Sequence, residues 1–186
     1  MGMKAEPFVQ VDDLRFGVLI SEEEIQNRIR DMGRQISEDY TGEVPIMVGV
    51  LNGGVLLLAD LIRELTIDCE MDFIKISSYG NQRVSSGAIT MIKDFSADLH
   101  GRHIIVVEDI VDSGLSLQYL TRRIQNVKPA SLRFVSLLVK KGAARVDLNI
   151  DYTGFEIENK FVIGYGLDYK QVKRNLNAIY QLVDND

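Results

Sequence analysis

The chain is poor in cysteine, with Cys69 the only one among 186 residues. A single thiol excludes an internal disulfide and any cysteine-built zinc site of the finger type, and it suits a reducing, cytoplasmic setting. Long apolar runs are also missing. The longest, Val55–Ala59, falls far short of the roughly 20 residues a membrane-spanning helix needs. Met1–Gln10 carries one lysine and no apolar stretch, so no signal peptide is expected. There is no basic surplus: 21 Lys and Arg stand against 27 Asp and Glu, a net charge of -6. That balance argues against a nucleic-acid groove, because phosphate backbones are bound by clustered cations. With only three prolines, 46% hydrophobic and 26% charged residues, the composition is that of an ordinary soluble globule and not of a disordered or collagen-like chain. The length suits a single domain over residues 1–186, which would bury about 70% of its unfolded surface without covalent staples.

What is present is an alternation of amphipathic helices and short apolar runs. Ser21 followed by Glu24 reads as an N-cap and capping box, and Ile25, Ile29, Met32, Ile36 and Tyr40 recur at helical spacing. A helix is therefore predicted over 22–40, stopped by Gly42. Ile46–Leu51 is apolar and too short for a helix; Asn52-Gly53-Gly54 makes a tight turn and a helix follows over about 55–65. Residues 70–78 alternate, with Met71 and Phe73 opposite Asp72, Ile74 and Ile76, as in a strand. Residues 79–90 are polar, contain glycine and lack a helical period, which fits a lid or binding loop, or disorder. Ile104–Val107 has the continuous apolar character of a central parallel strand. A helix marked by Leu117, Leu120, Ile124 and Val127 follows and ends before Pro129. Further strands are predicted at 132–139, 161–165 and 178–183. This order defines an α/β fold, a doubly wound and mainly parallel sheet. Ligands bind such sheets at the carboxyl ends of the strands, so the loops at 52–54, 108–116, 140–142 and 164–168 are expected on one rim.

The chemistry concentrates in Val106-Val-Glu108-Asp109-Ile-Val-Asp112-Ser113-Gly114-Leu115-Ser116. Its second half offers backbone N–H groups, a glycine and two hydroxyls at a helix start, which suits a phosphate monoester. Its first half brings three carboxylates to the same strand end, which would repel a phosphate. The two halves agree if a hard divalent cation bridges the ligand, or if the carboxylates face vicinal hydroxyls while the amides face phosphate. A ribose 5-phosphate satisfies both. The plainer alternative makes Asp112 a helix N-cap behind a buried strand.

The segment VVEDIVDSGLS resembles the phosphoribosyl-pyrophosphate motif of the type I phosphoribosyltransferases. From ISEEEI near Ser21 to about Val183, the chain is similar to their hypoxanthine-guanine branch. The likeness is carried by LNGGV at 51–55, DFIKISSYG at 72–80, LLVKK at 137–141, GFEIENKFVIGYGLDY at 154–169, and Arg174 with Asn175. The resemblance implies a small hood built from the chain ends, over a sheet that transfers the 5-phosphoribosyl group from phosphoribosyl pyrophosphate to N9 of hypoxanthine or guanine. It implies Asp112 as the catalytic base at purine N7, Glu108 and Asp109 on the ribose hydroxyls, and Ser113, Gly114, Leu115 and Ser116 around the 5-phosphate. Gly53, Gly54 and Arg174 would meet pyrophosphate. Lys140 would donate to the purine O6, Phe161 would stack on the base, and the backbone of Val162 would read its other edge. Glu108, Asp109 and Asp168 would hold Mg²⁺, with Asp168 beside both base and pyrophosphate. Ser78 and Tyr79 would close over the reacting centre, where an oxocarbenium-like species must be kept from water. Without the resemblance, Lys140 could be a solvated charge, Phe161 a core residue, and Asp168 and Arg174 surface charges.

One departure stands out: Asn52 occupies the place of the branch's usual lysine, keeping a polar side chain but losing the charge. The Leu51–Asn52 bond is expected to be cis, as the corresponding bond often is in the family. The resemblance also implies a homodimer or homotetramer. Two alternatives remain: the same fold acting on xanthine, or a nucleotide-binding RNA regulator, which would need a basic face such as Arg122, Arg123 and Lys128. His100 and His103 are expected in a turn with no partner spacing for a metal. Cys69, between Asp68 and Glu70, is expected to have a raised thiol pKa and no nucleophilic role.

Overall fold

The computed structural model describes residues 6–78, 89–142 and 149–183. Its elements, in chain order, are β1 (Phe8–Val11), β2 (Leu14–Ile20), α1 (Glu22–Asp39), β3 (Ile46–Leu51), α2 (Val55–Glu64), β4 (Glu70–Ser78) and β5 (Ile89–Lys93). They continue with β6 (His103–Val111), α3 (Leu115–Gln125), β7 (Ser131–Lys140), β8 (Tyr152–Ile157), β9 (Val162–Ile163) and β10 (Ile179–Leu182).

Helix α1 starts as its sequence dictates. Ser21 Oγ accepts the Glu24 N–H at 3.3 Å, and the Glu24 carboxylate accepts the Ser21 N–H at 2.8 Å. Glu24's carboxyl is held below its usual range first by the Ser21 hydroxyl, which donates to it at 2.6 Å, and then by the Ser21 N–H. Ile25, Ile29, Met32 and Ile36 are completely buried, each contributing about 1.5–3 kcal/mol of apolar transfer.

The main sheet runs β5-β4-β3-β6-β7-β8, parallel throughout except for β5, which returns antiparallel on β4. The pleat divides it into two faces. Met47, Ile105, Val107, Val135 and Leu137 pack under α1 and α2, while Ile46, Val48, Val50, Ile104 and Val106 pack under α3. Helices on both faces make the sheet doubly wound.

The second sheet is antiparallel, in the order β1-β2-β10-β9, and joins the two ends of the described chain into a hood. β10 lies at its centre, hydrogen-bonded to β2 on one side and β9 on the other. This corrects the reading of residues 161–165. Only Val162–Ile163 is a strand, and it belongs to the hood, because Gly164, Tyr165 and Gly166 take positive φ angles that end any extended run. The apolar run before Ser21 is likewise the end of hood strand β2. Of the polar stretch 79–90, residues 79–88 lie outside the described residues, and Ile89 and Thr90 open β5. Asp72, on the buried face of β4, anchors the chain just beyond β5 to its own strand: its carboxylate accepts the amides of Phe73, Ser96 and Ala97 at 2.7, 2.6 and 3.0 Å.

His103 is not in a turn. It opens β6, edge-on to Tyr40, with Nδ1 2.8 Å from Ser131 Oγ. His100 is exposed, its Nδ1 3.0 Å from the Val127 carbonyl. Burial first, then Asp68, push the Cys69 thiol up, away from nucleophilic use.

Candidate active site

Three strands end at the same rim: β3 at Leu51, β6 at Val111 and β7 at Lys140. The 52–54 turn and the segments leaving β6 and β7 meet there, but β6 is longer than the expected strand: of the expected loops 108–116 and 140–142, residues 108–111 still belong to β6 and Lys140 to β7. The segment 164–168 reaches the rim differently, from the hood: Gly166 lies so close to the 52–54 turn that a Cβ there would stand 2.2 Å from the Gly53 carbonyl oxygen.

Glu108 is buried at the end of β6, and its Oε2 has no hydrogen-bond partner among the described residues. Burial, then the neighbouring Asp109 charge, push its carboxyl up to about 8. Asp109 is pushed up to about 6, chiefly by burial, although the Ile110 N–H at 3.0 Å and Arg174 pull it down. A buried, partnerless carboxylate oxygen facing a cleft calls for a ligand hydroxyl or a cation. That donor set suits a hard cation. Among the described residues no group of three or more His, Cys, Asp or Glu side chains is placed to hold a metal ion by itself.

Asp112 is not a helix cap. Gly114 holds the N-cap position of α3 with φ 75, a left-handed conformation that favours glycine, and no side chain caps the helix. Apart from the Leu115 N–H, which donates to Ser113 Oγ at 3.5 Å, the first amides of α3 remain available to an anion. They open on a hollow of about 80 Å³ lined by Glu108, Asp112, Ser113, Gly114 and Ser116. Leu115, from the same turn, opens α3 beside it. Freed from capping, the Asp112 carboxylate is 57% exposed, and its Oδ2 sits 3.0 Å from Lys140 Nζ, whose side chain is only 11% exposed.

Asp112 and Lys140 line a second hollow of about 200 Å³, with Phe161, Val162, Asp168 and Arg174. The Phe161 ring is 44% exposed, braced behind by Phe16 at 6.1 Å and edge-on by Tyr169 at 6.0 Å. Ile110 and Leu167 complete its walls. Sequence reasoning missed both, since an apolar side chain carries no chemical signal; only its place one residue from Asp109 or Asp168 could have pointed to it.

A third space, a cleft of about 500 Å³, runs between Gly53, Glu108, Asp109, Ser116, Asp168 and Arg174. The Leu51–Asn52 bond that enters it is cis, as the sequence reading expected. Gly53 and Gly54 were expected to face pyrophosphate through their amides. The Gly54 N–H instead donates to the Val50 carbonyl at 3.0 Å, so that donor is already used. Arg174 is held at the cleft by three partners: the Gly166 carbonyl at 2.7 Å, Gln171 Oε1 at 3.2 Å and Asp168 Oδ1 at 2.5 Å. Ser78 ends β4, paired with Ile89; Tyr79 lies outside the described residues.

A helix start with free amides, an acidic cleft and an apolar slot with a lysine–carboxylate pair, built at the carboxyl ends of parallel strands and closed by the hood, have the chemistry to take a phosphorylated sugar and a flat polar ring. The family model of the phosphoribosyl transferase domain matches residues 21–170. The hypoxanthine-guanine phosphoribosyltransferase of Bacillus subtilis (strain 168) is 45% identical over 162 residues, 87% of this chain and 90% of that protein. The bifunctional protein TilS/HprT of Listeria monocytogenes is 46% identical over 162 residues, and there the match spans only 25% of the relative's length. A crystal structure of a hypoxanthine-guanine phosphoribosyltransferase from Bacillus anthracis superimposes with a TM-score of 0.85 at 42% identity, covering 89% of this chain and 98% of that one. The chain belongs to the phosphoribosyltransferase family, in its hypoxanthine-guanine branch.

Proposed function

We propose that this protein transfers the 5-phosphoribosyl group of phosphoribosyl pyrophosphate to N9 of hypoxanthine or guanine, releasing pyrophosphate and forming IMP or GMP. The observation that carries the reading is the Lys140–Asp112 pair at 3.0 Å beside Phe161, in the slot next to the helix-start hollow. A 6-oxopurine presents O6 and N7 side by side. Lys140 donates to O6, which selects against a 6-amino ring, and Asp112 accepts the N7 proton. As that proton leaves, the N9–C1′ bond forms and the C1′–oxygen bond to pyrophosphate breaks. Phe161 stacks on the base and the Val162 backbone reads its far edge. Ser113, Gly114, Leu115 and Ser116 hold the 5-phosphate, fixing C1′ against N9. Arg174 and the Gly53 turn receive pyrophosphate.

Glu108, Asp109 and Asp168 would hold Mg²⁺, which supplies charge neutralisation of the leaving pyrophosphate. The partnerless Glu108 Oε2 supports that role. Ser78 and Tyr79 would act as the lid. The chain would work as a single-domain subunit of a homodimer or homotetramer in the cytoplasm. For the RNA-regulator alternative, Arg123 is a poor phosphate ligand, since it is already paired with Asp94.

The test supplies hypoxanthine, guanine, xanthine, adenine and uracil in turn with phosphoribosyl pyrophosphate and Mg²⁺, and follows nucleotide formation by chromatography. Hypoxanthine, guanine or both are converted. If neither is, the reading fails.

A further inference from the structure

The two halves of the cleft come from different layers. The Gly53 turn belongs to the main sheet and starts α2, whereas Asp168 and Arg174 hang from the hood. Val162, Tyr165 and Leu167 share a buried core with α1 and α2, and Tyr165 adds a side-chain hydrogen bond across the two layers. Tyr165 is 5% exposed and its hydroxyl donates to Asp60 Oδ2 at 2.5 Å. Asp60 lies on α2, whose first residue comes directly after the turn, and Gln26 Nε2 of α1 donates to the same oxygen at 3.0 Å. Burial, then Asp60 itself, push the phenol well up, so it stays a donor.

The backbone around Tyr165 shows that this side chain is held where a tyrosine resists going. Its φ is 46, between Gly164 and Gly166, both at 96. Its N–H is anchored to the Leu176 carbonyl at 2.8 Å, and the next amide, of Gly166, donates to the Arg174 carbonyl at 2.9 Å. Gly166 in turn accepts from the Arg174 guanidinium. Any shift of Tyr165 is therefore passed to Arg174 through one residue.

We propose that the Tyr165 hydroxyl and the Asp60 carboxylate form a brace that sets the spacing between the Gly53 turn and the Arg174–Asp168 pair. The brace makes Tyr165 and Asp60 positioning residues for a pyrophosphate-bearing substrate that neither touches. The inference rests on the phosphoribosyltransferase reading above and adds to it a determinant of affinity for one substrate only.

The test uses the full chain carrying Tyr165→Phe, which keeps the ring and removes the hydroxyl. Calorimetry gives the Kd of phosphoribosyl pyrophosphate with Mg²⁺ in the absence of base, and steady-state kinetics give KM for each substrate. Kd and KM for phosphoribosyl pyrophosphate should rise about tenfold, the worth of one hydrogen bond to a charged group. KM for hypoxanthine should stay within about twofold. Asp60→Ala should reproduce the loss, and Asp60→Asn, which keeps an acceptor oxygen, should recover most of it. The proposal is overturned if phosphoribosyl pyrophosphate affinity is unchanged in Tyr165→Phe and Asp60→Ala. It is equally overturned if both substrates weaken together in step with a lowered Tm, the mark of a purely structural role. Wild-type protein that converts no base sinks the functional reading instead, a different outcome from an active enzyme indifferent to the brace.

Discussion

Gly53→Ala is the sharpest probe of the rim. A Cβ at Gly53 would stand 1.6 Å from Asp109 Oδ2 and 2.4 Å from its Cγ. Ordinary contact begins near 3.4 Å, so the carboxylate must retreat by at least about 1.8 Å or the turn must lift. The turn is poorly placed to lift, because the Gly54 amide is bonded to the Val50 carbonyl and Gly166 lies against Gly53 from above. Asp109 is poorly placed to retreat, because its Oδ1 accepts the Ile110 N–H. Gly53 itself is not left-handed, so alanine strains no dihedral and the effect is confined to the clash. Overpacking of this kind costs about 1–3 kcal/mol, seen as a lowered Tm. The larger effect falls on catalysis: a displacement of about 1 Å in a positioning group is enough for about 10²-fold. Initial rates at varied phosphoribosyl pyrophosphate should show kcat/KM reduced by about that factor, with the protein folded at assay temperature. A folded variant with kcat/KM within about threefold of wild type would refute the contact between Gly53 and the working position of Asp109.

Asp112→Asn should lower kcat by about 10²–10⁴ in single-turnover assays if Asp112 is the base; an unchanged rate would reduce the Lys140 pair to a structural contact. Asp72→Ala strips three part-buried amides of their acceptor and should cost about 2–4 kcal/mol by urea unfolding. Burial alone would raise the Asp72 carboxyl, but the Ala97, Phe73 and Ser96 amides and Lys93 outweigh it and hold it below its usual range. Folded below unfolded, its stabilisation is complete above about pH 4 and is lost as pH falls through the folded value. The Tm gap between wild type and Asp72→Ala should therefore be flat near neutrality and close in acid; a gap that persists undiminished at about pH 2 would contradict the assignment.

Local chemistry made much of this fold readable in advance. The Ser21–Glu24 box spans three residues, and the eleven positions from Val106 to Ser116 hold the end of β6 and the glycine that starts α3. What escaped depends on distant partners. β8 contains Gly154, which reads as a breaker but is a point of close approach, where a Cβ would meet the Leu137 carbonyl at 2.3 Å. The β1–β2 hairpin turns at Asp12 with φ 51 and no glycine, a weak signal beside Asn-Gly turns. Of the expected site residues, those on the main sheet are legible from its topology. That the Gly54 amide meets the Val50 carbonyl leaves no signal in the residue types of the turn. The Tyr165–Asp60 bond joins residues 105 apart and leaves no local trace.

The hood places its middle strand last in the sequence. β2 and β9 do not touch each other; each pairs with β10, the final strand of the described chain. On a ribosome, the acidic loop and helix start of the sheet emerge well before the strand that pins Phe161 and Val162 in place. The strand end and helix start around Glu108 to Ser116 are thus synthesised before the strand that completes the wall carrying Phe161.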